Sequence, residues 1–173
     1  MRINRQRMIG IVVSLEAVVV SILNLLNMPN QIDISPINPK FRPALISLLQ
    51  SESLPTEDLP MDLSNFFMAT DNGFIVGAVG LEIYGRTGLL RSLIVKPEYR
   101  KSKIARSLIS ELERRAKNLG LNTVYLLTET AQGYFPKIGY EAVSREDAPD
   151  SLKQSTEFSH VCPTSAIFMK NKI

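Results

Sequence analysis

A chain of 173 residues fits one domain with a core large enough to fold alone, and 45% hydrophobic with 21% charged residues excludes the disordered and fibrous classes. A net charge of only +3, no tryptophan, and a single basic run with no aromatic platform argue against a nucleic-acid binder. One cysteine, Cys162, and one histidine, His160, exclude an internal disulfide framework and the usual metal-ligand clusters, which points to metal-free chemistry in the cytoplasm.

In chain order, Arg2, Arg5 and Arg7 precede an apolar run from Met8 to Met28. Its length could span a bilayer, for which ~20 mostly apolar residues suffice. The basic flank would then place everything downstream outside the cell. Glu16 sits mid-run, and Ser14, Ser21, Asn24 and Asn27 dilute it further. No small-residue cleavage site follows, so a secretory signal is not indicated. Three readings stay open: a membrane contact through residues 8–28, a helix docking on the domain or on a second subunit in a homodimer, and a translated extension upstream of a start at Met28. The extension is favoured, because Met28-Pro29-Asn30 leads straight into a strand candidate. The expected division is residues 1–30 and 31–173.

Gln31 to Ser35 is a short strand candidate ended by Pro36. Pro39 to Gln50 carries Phe41, Ala44, Leu45, Leu48 and Leu49 at helical spacing. Ser51 to Pro60 is a polar, proline-marked connection. Phe66–Thr70, Phe74–Tyr84 and Leu89–Val95 read as an antiparallel meander, separated by Asp71-Asn72-Gly73 and Gly85-Arg86-Thr87-Gly88. A helix is expected from about Ser102 to Leu119, with pairs Glu111–Arg115 and Glu113–Lys117 on its wet side and Gly120 as its stop. Then come a buried strand (Asn122–Thr128), a short helix (Thr130–Ile138), and closing strands at Gly139–Val143 and Ala166–Met169. The long polar connection Ser144–Pro163 lies between those two strands. The order is that of a mixed α/β sheet.

The informative segment is the strand end, basic turn and helix start from Leu93 to Ile109. A helix N-terminus offers unpaired N–H groups and partial positive charge to a phosphate. Arg100, Lys101, Lys103 and Arg106 add side-chain charge there, although a solvated basic helix start has the same composition. Arg100-Lys101-Ser102-Lys103-Ile104-Ala105, after Val95-Lys96-Pro97, resembles the acetyl-CoA signature of the GNAT superfamily, Arg/Gln-x-x-Gly-x-Gly/Ala after a Val-x-Pro strand end. Lys103 stands at the family's first glycine and Lys101 where a further glycine is often present; Ala105 is an accepted variant. The element Thr130-Ala131-Gln132-Gly133-Tyr134-Phe135-Pro136-Lys137-Ile138-Gly139-Tyr140 resembles the superfamily's later Ala-x-x-Phe-Tyr-x-x-x-Gly-Phe/Tyr motif, which lies beside the pantetheine arm. The resemblance implies the GNAT fold, a mixed and mostly antiparallel sheet with helices on both faces. It also implies acetyl-CoA as co-substrate and a small-molecule amine as acceptor.

A closer resemblance runs through Leu54 to Leu59, Gly80 to Gly85, Leu89 to Leu93, Leu126 to Ala131 and Cys162 to Ala166. These segments look like the N-acetyltransferases of arsenic-resistance operons, which implies an anionic amino-acid substrate of the phosphinothricin or arsinothricin kind. Under the GNAT arrangement the backbone of Ser92, Leu93, Ile94 and Val95 meets the pantetheine and the acetyl oxygen. The 100–106 turn, including Ser102 and Ile104, holds the diphosphate, with Thr128 and Tyr134 further along the cofactor.

Glu82 is the candidate base, directly or through water. Pairing of Glu82 with Arg91 across the hairpin is an equal alternative. Arg91 is then either that structural partner or a clamp for a substrate carboxylate. Ser92, Thr128 and Thr130 are hydrogen-bonding candidates near the thioester, Thr130 alternatively capping its helix. Pro55, Thr56, Asp58 and Tyr84, with the 144–163 connection, are expected to form the substrate mouth. Many GNAT enzymes have a tyrosine where this chain has Phe135, so the thiolate is expected to leave unaided, through water or with a loop residue; Tyr134 reads as a packing residue. Cys162 reads as a small packed residue rather than a nucleophile.

Overall fold

A computed structural model describes residues 18–19, 31–156, 158 and 163–173. The chain divides into two compact units, residues 1–31 and 32–173. In the first, Val18 and Val19 are helical and exposed. The remainder of the expected N-terminal segment lies outside the described residues, as do His160 and Cys162. Among the described residues no helix is long and apolar enough to cross a membrane.

The second unit is built on a seven-stranded sheet ordered β1-β2-β3-β4-β5-β7-β6. Its strands are β1 (Ile32–Pro36), β2 (Phe66–Asp71), β3 (Phe74–Tyr84), β4 (Thr87–Val95), β5 (Thr123–Thr128), β6 (Glu141–Ala142) and β7 (Ile167–Lys172). Every neighbouring pair is antiparallel except β4 with β5. The β2–β3 hairpin turns on Asn72 (φ +48°) and Gly73 (φ +82°), the two left-handed residues that a two-residue turn matching strand twist requires. Gly85-Arg86 makes the next turn, with Gly85 at φ +63°.

Among the described residues three helices support the sheet: α1 (Arg42–Gln50), α2 (Ile104–Asn118) and the one-turn α3 (Asp150–Lys153). Helix α2 buries Ile104, Leu108, Ile109, Leu112 and Ala116, a single stripe at helical spacing, against Phe67, Val76, Val79, Leu81, Leu90 and Leu126. Helix α1 buries Leu45, Leu48 and Leu49 in a separate cluster with Phe66, Met68, Ala78 and Ile94. Side chains alternate along a strand, so these two clusters on β3 and β4 put helices on opposite faces. A third cluster, Leu89, Tyr125, Ala148, Leu152 and Phe168, sits under the 144–163 connection. At the β4–β5 junction Gly88 is a requirement of space: a Cβ there would lie 2.6 Å from Leu81 Cδ1.

The mixed α/β architecture is as expected, and the local differences have physical causes. Pro36 belongs to β1 instead of ending it, opposite Phe67; on an edge strand its missing N–H costs no ladder bond. The expected 39–50 helix divides into a 3-10 turn at Pro39–Phe41 and α1. Helix α2 begins at Ile104, because Lys103 is left-handed at φ +64°. The expected i,i+4 pairs do not form. Arg114 bonds Glu111, Arg115 reaches Asn65 Oδ1 (3.1 Å), and Glu113 accepts from Asn171 Nδ2 (3.0 Å). The expected 130–138 helix reduces to a 3-10 turn at Phe135–Ile138, since Gly133 and Pro136 both disfavour α-helix. The 139–143 strand shrinks to Glu141–Ala142, while β7 runs to Lys172. Within the 144–163 connection, Arg145–Asp147 form a 3-10 turn ahead of α3.

Candidate active site

Strands β4 and β5 pair only through Thr87–Thr123, Gly88–Val124 and Leu89–Tyr125. Beyond Leu89 they splay, and the backbone edges of residues 90–95 and 126–128 that face each other have no ladder partner. Antiparallel pairing of β4 with β3 also breaks register here, Arg91 lying opposite Gly80 and Ile94 opposite Ala78. Two residues, Ser92 and Leu93, therefore stand against Val79 alone. This is a β-bulge, and Ser92 carries it at φ +54°. The bulge turns consecutive backbone groups out of the ladder at the mouth of the splay.

The splay opens a cavity of about 450 Å³. Arg91, Ser92 and Leu93 line one wall; Leu126, Leu127, Thr128, Glu129, Thr130 and Ala131 line the other. Residues 52–55 of the α1–β2 loop, Phe135, Pro163 and Ala166 complete it. The structure thus gathers Pro55, Arg91, Ser92, Leu93, Thr128 and Thr130, all marked out by the sequence. Thr128, and not Thr130, caps the next turn, its Oγ1 accepting from the Ala131 N–H at 3.1 Å. Ile94 turns its side chain into the α1 cluster and Val95 packs toward α2, which leaves their backbone as the part that can serve the cleft. Phe135 lines the cleft. Tyr134 instead packs against the α2 cluster, its buried hydroxyl without a hydrogen-bond partner. Burial raises that hydroxyl's pKa against the opposing pull of Arg106.

Behind Arg91 lies a compact ionic group. Arg91 is buried, its Nη2 2.6 Å from Asp58 Oδ1 and its Nη1 2.5 Å from Glu82 Oε1. Nη1 also donates to the Asp58 carbonyl at 3.3 Å, and Nε to Ser92 Oγ at 3.4 Å. Tyr84 Oη donates to Glu82 Oε2 at 2.5 Å. Burial, reinforced by that bond to Glu82, pushes the Tyr84 pKa well above its usual value, so the proton stays on the phenol. Of the two roles open to Arg91, the ion pair with Glu82 is present, and Asp58 joins it. Asp58, Glu82 and Tyr84 reach the cleft through Arg91 and do not line it themselves. Thr56 sits in the loop behind, its N–H donating to Glu57 Oε2 at 3.1 Å.

The basic turn keeps a glycine-like backbone without glycine. Lys101 (φ +67°) and Lys103 (φ +64°) are both left-handed. Ser102 Oγ bonds the Tyr99 carbonyl, and Arg106 Nη1 donates to the Ile138 carbonyl at 3.2 Å. No side chain caps α2, which leaves the N–H groups of its first turn, around Ile104, Ala105 and Arg106, unclaimed by any cap. Arg100 is engaged elsewhere, donating to the Val95 carbonyl (3.1 Å) and pairing with Glu52 Oε2 (2.6 Å). A left-handed non-glycine residue costs about 1 kcal/mol, part of which glycine returns as greater freedom of the unfolded chain. Lys103→Gly is therefore expected to stabilise the protein by about 0.5 kcal/mol in urea unfolding. A lower urea midpoint in this variant would contradict the strain reading.

Several lining residues carried no signal in the sequence. Glu52 and Ser53 look like solvated loop positions, and only the tertiary fold brings them to the cavity. Leu54, Glu129, Pro163 and Ala166 fall inside segments that had drawn notice for resemblance, without a role of their own attached. Among the described residues no group of His, Cys, Asp and Glu could hold a metal ion.

Residues 62–142 match the family model described as an acetyltransferase (GNAT) domain. An amino-acid acetyltransferase of Pseudomonas aeruginosa is 30% identical over 117 residues, 66% of this chain and 26% of that protein. The chain spans about a quarter of the length of the amino-acid acetyltransferases it matches. Among solved structures, N-acetylglutamate synthase of Neisseria gonorrhoeae, determined with coenzyme A and N-acetyl-glutamate, superposes with a TM-score of 0.72. Its identity is 14%, covering 84% of this chain and 36% of that one. A GNAT-family acetyltransferase of Staphylococcus aureus superposes at 0.66 with 23% identity, over 82% of this chain and 98% of that one. The splayed β4–β5 pair, the bulge at Ser92 and the uncapped start of α2 thus sit on a GNAT fold, whose central segment, residues 62–142, matches an acetyltransferase (GNAT) domain.

Proposed function

We propose that the protein transfers the acetyl group of acetyl-CoA to the primary amine of a small, amino-acid-like molecule in the cytoplasm. The observation that carries this is the 450 Å³ cleft between two strands whose facing backbone edges are unpaired. Such edges fit an extended amide-bearing arm, as a missing strand would. Acetyl-CoA supplies the acetyl group as a reactive thioester. Lys101, Lys103, Arg106 and the first-turn N–H groups of α2 hold the diphosphate by charge and by hydrogen bonds. Backbone donors of the Ser92 bulge, fixed before the reaction begins, stabilise negative charge on the acetyl oxygen. Glu82 takes the proton from the substrate ammonium, through water if it does not reach it directly. Phe135 offers no proton to the departing thiolate, and burial keeps the Tyr134 proton in place. Water therefore serves that step.

The finer proposal is an anionic amino acid, bearing phosphorus or arsenic in a detoxification role. It rests on the likeness at residues 54–59, 80–85, 89–93, 126–131 and 162–166, and draws support from relatives named for amino-acid acetylation. The test is release of free thiol from acetyl-CoA against a panel of glutamate, phosphinothricin, arsinothricin, polyamines and short peptides. Turnover with the anionic amino acids supports both levels, and turnover with peptides alone moves the substrate to proteins. CoA binding without turnover would make the domain a binding module. Absence of CoA binding would end the proposal.

A further inference from the structure

Among the described residues three charged side chains line the cleft: Glu52, Arg91 and Glu129. Two of them are matched by neighbours. Glu52 pairs with Arg100 at 2.6 Å, and Arg91 is held by Asp58 and Glu82. Glu129 forms no ion pair with a described residue, and it is exposed. Its Oε1 accepts from Ser165 Oγ at 3.0 Å, a bond that orients the carboxylate without answering its charge. The described lining therefore carries one uncompensated anion and no uncompensated cation.

Placement separates Glu129 from an ordinary surface carboxylate. Counted from Leu89 and Tyr125, the last ladder pair, Glu129 lies as far along the exit of β5 as Leu93 lies along β4. Glu129 thus stands across the gap from the bulge at Ser92, where backbone groups leave the ladder. The turn that carries it is fixed. Thr128 Oγ1 accepts from the Ala131 N–H, and the Glu129 carbonyl accepts from Gln132 Nε2 at 3.0 Å. Ser165 comes from the segment whose Pro163 and Ala166 close the same cleft. A carboxylate presented in this way to a concave space suits a cationic donor, because charge-assisted bonds strengthen as water is displaced.

We propose that Glu129 receives the ammonium group of the acceptor and selects for it at the cleft. Glu129 is then a specificity residue, and Ser165 positions it. An amino acid meets the site through its α-ammonium, a polyamine through either end. This deepens the acetyl-transfer reading and rests on it for the word acceptor; the ammonium site itself does not.

The experiment titrates the full chain, saturated with CoA, by calorimetry. The probes are L-glutamate and putrescine, each beside its hydroxyl counterpart, hydroxyglutarate and butanediol. Wild type is expected to prefer the ammonium member of at least one pair by on the order of ten-fold. Glu129→Gln, whose amide oxygen keeps the bond from Ser165, should abolish that preference by weakening the ammonium ligand alone. Glu129→Asp, which keeps the charge, should retain part of it. No preference in either pair for wild type overturns the proposal. So does a preference that survives in Glu129→Gln, and so does equal weakening of both members of a pair, the mark of a merely structural role. Thiol release from acetyl-CoA alongside any of those three results would leave the acetyl-transfer reading standing without this site. A preference that depends on Glu129, with no thiol release for any amine, would keep the ammonium site and remove the acetyl-transfer reading.

Discussion

Arg91→Ala is expected to destabilise the protein by about 3–5 kcal/mol, the cost of taking one partner out of a buried ionic group. Arg91 is 4% exposed and touches two carboxylates at once. Without it, Asp58 and Glu82 face each other in a poorly solvated space, and the Asp58 carbonyl and Ser92 Oγ each lose a donor. A cavity the size of the side chain adds to the electrostatic penalty. The same substitution loosens the loop that carries Pro55 and Asp58, because Asp58 is tied to the sheet through Arg91. Urea unfolding at neutral pH reads the loss. Adding Glu82→Gln to Arg91→Met should recover part of it, since that pair removes one of the two carboxylate charges left uncompensated and keeps volume. A single-variant loss below about 1 kcal/mol would mean that water reaches the group and that the ion pairs behave as surface pairs do.

Glu82→Gln carries the second large expectation. The amide oxygen can still accept from Arg91 Nη1, and the amide NH2 can donate to Tyr84 Oη once the phenol proton turns away, so folding should be largely preserved. What it cannot do is take a proton. Loss of a general base typically lowers kcat by 10²–10⁴, and a fall on the order of a hundred-fold or more is expected here with KM for acetyl-CoA unchanged. If Glu82 serves only as the structural partner of Arg91, rate and stability should fall together and modestly. Thiol release at saturating co-substrates, beside an unfolding curve for the same variant, separates the two roles. An unchanged kcat would remove Glu82 from the chemistry.

Much of the fold could be read from residues alone because its signals are local. The period of Ile104, Leu108, Ile109, Leu112 and Ala116 announces a helix, and Asn72-Gly73 announces a tight hairpin. Elements held by tertiary context were harder to read. The 130–138 stretch has apolar residues enough for a helix, yet Gly133 and Pro136 reduce it to a turn. The partners of Arg115 and Glu113 lie 50 and 58 residues away, so proximity in sequence pointed to the wrong pairs. Ser92, marked out in the sequence for its backbone, does line the cleft. The site was not legible at Glu52 and Ser53, which a loop distant in sequence from both strands brings to the cleft.

The short parallel pairing of β4 with β5 has a mechanical consequence. Three residue pairs at one end join the two halves of the sheet, and everything beyond them stands apart. The arrangement is a lever with its fulcrum at residues 87–89. From Leu89 to Val95 the arm is about 20 Å long at the usual strand rise. A rotation of about 3° at the fulcrum displaces the far end by about 1 Å, a misplacement able to cost on the order of a hundred-fold in rate. Gly88 sits at that fulcrum, with room for no side chain beside Leu81. The gap where the reacting groups meet is therefore set as much by packing at the closed end of the wedge as by any residue that lines its open end.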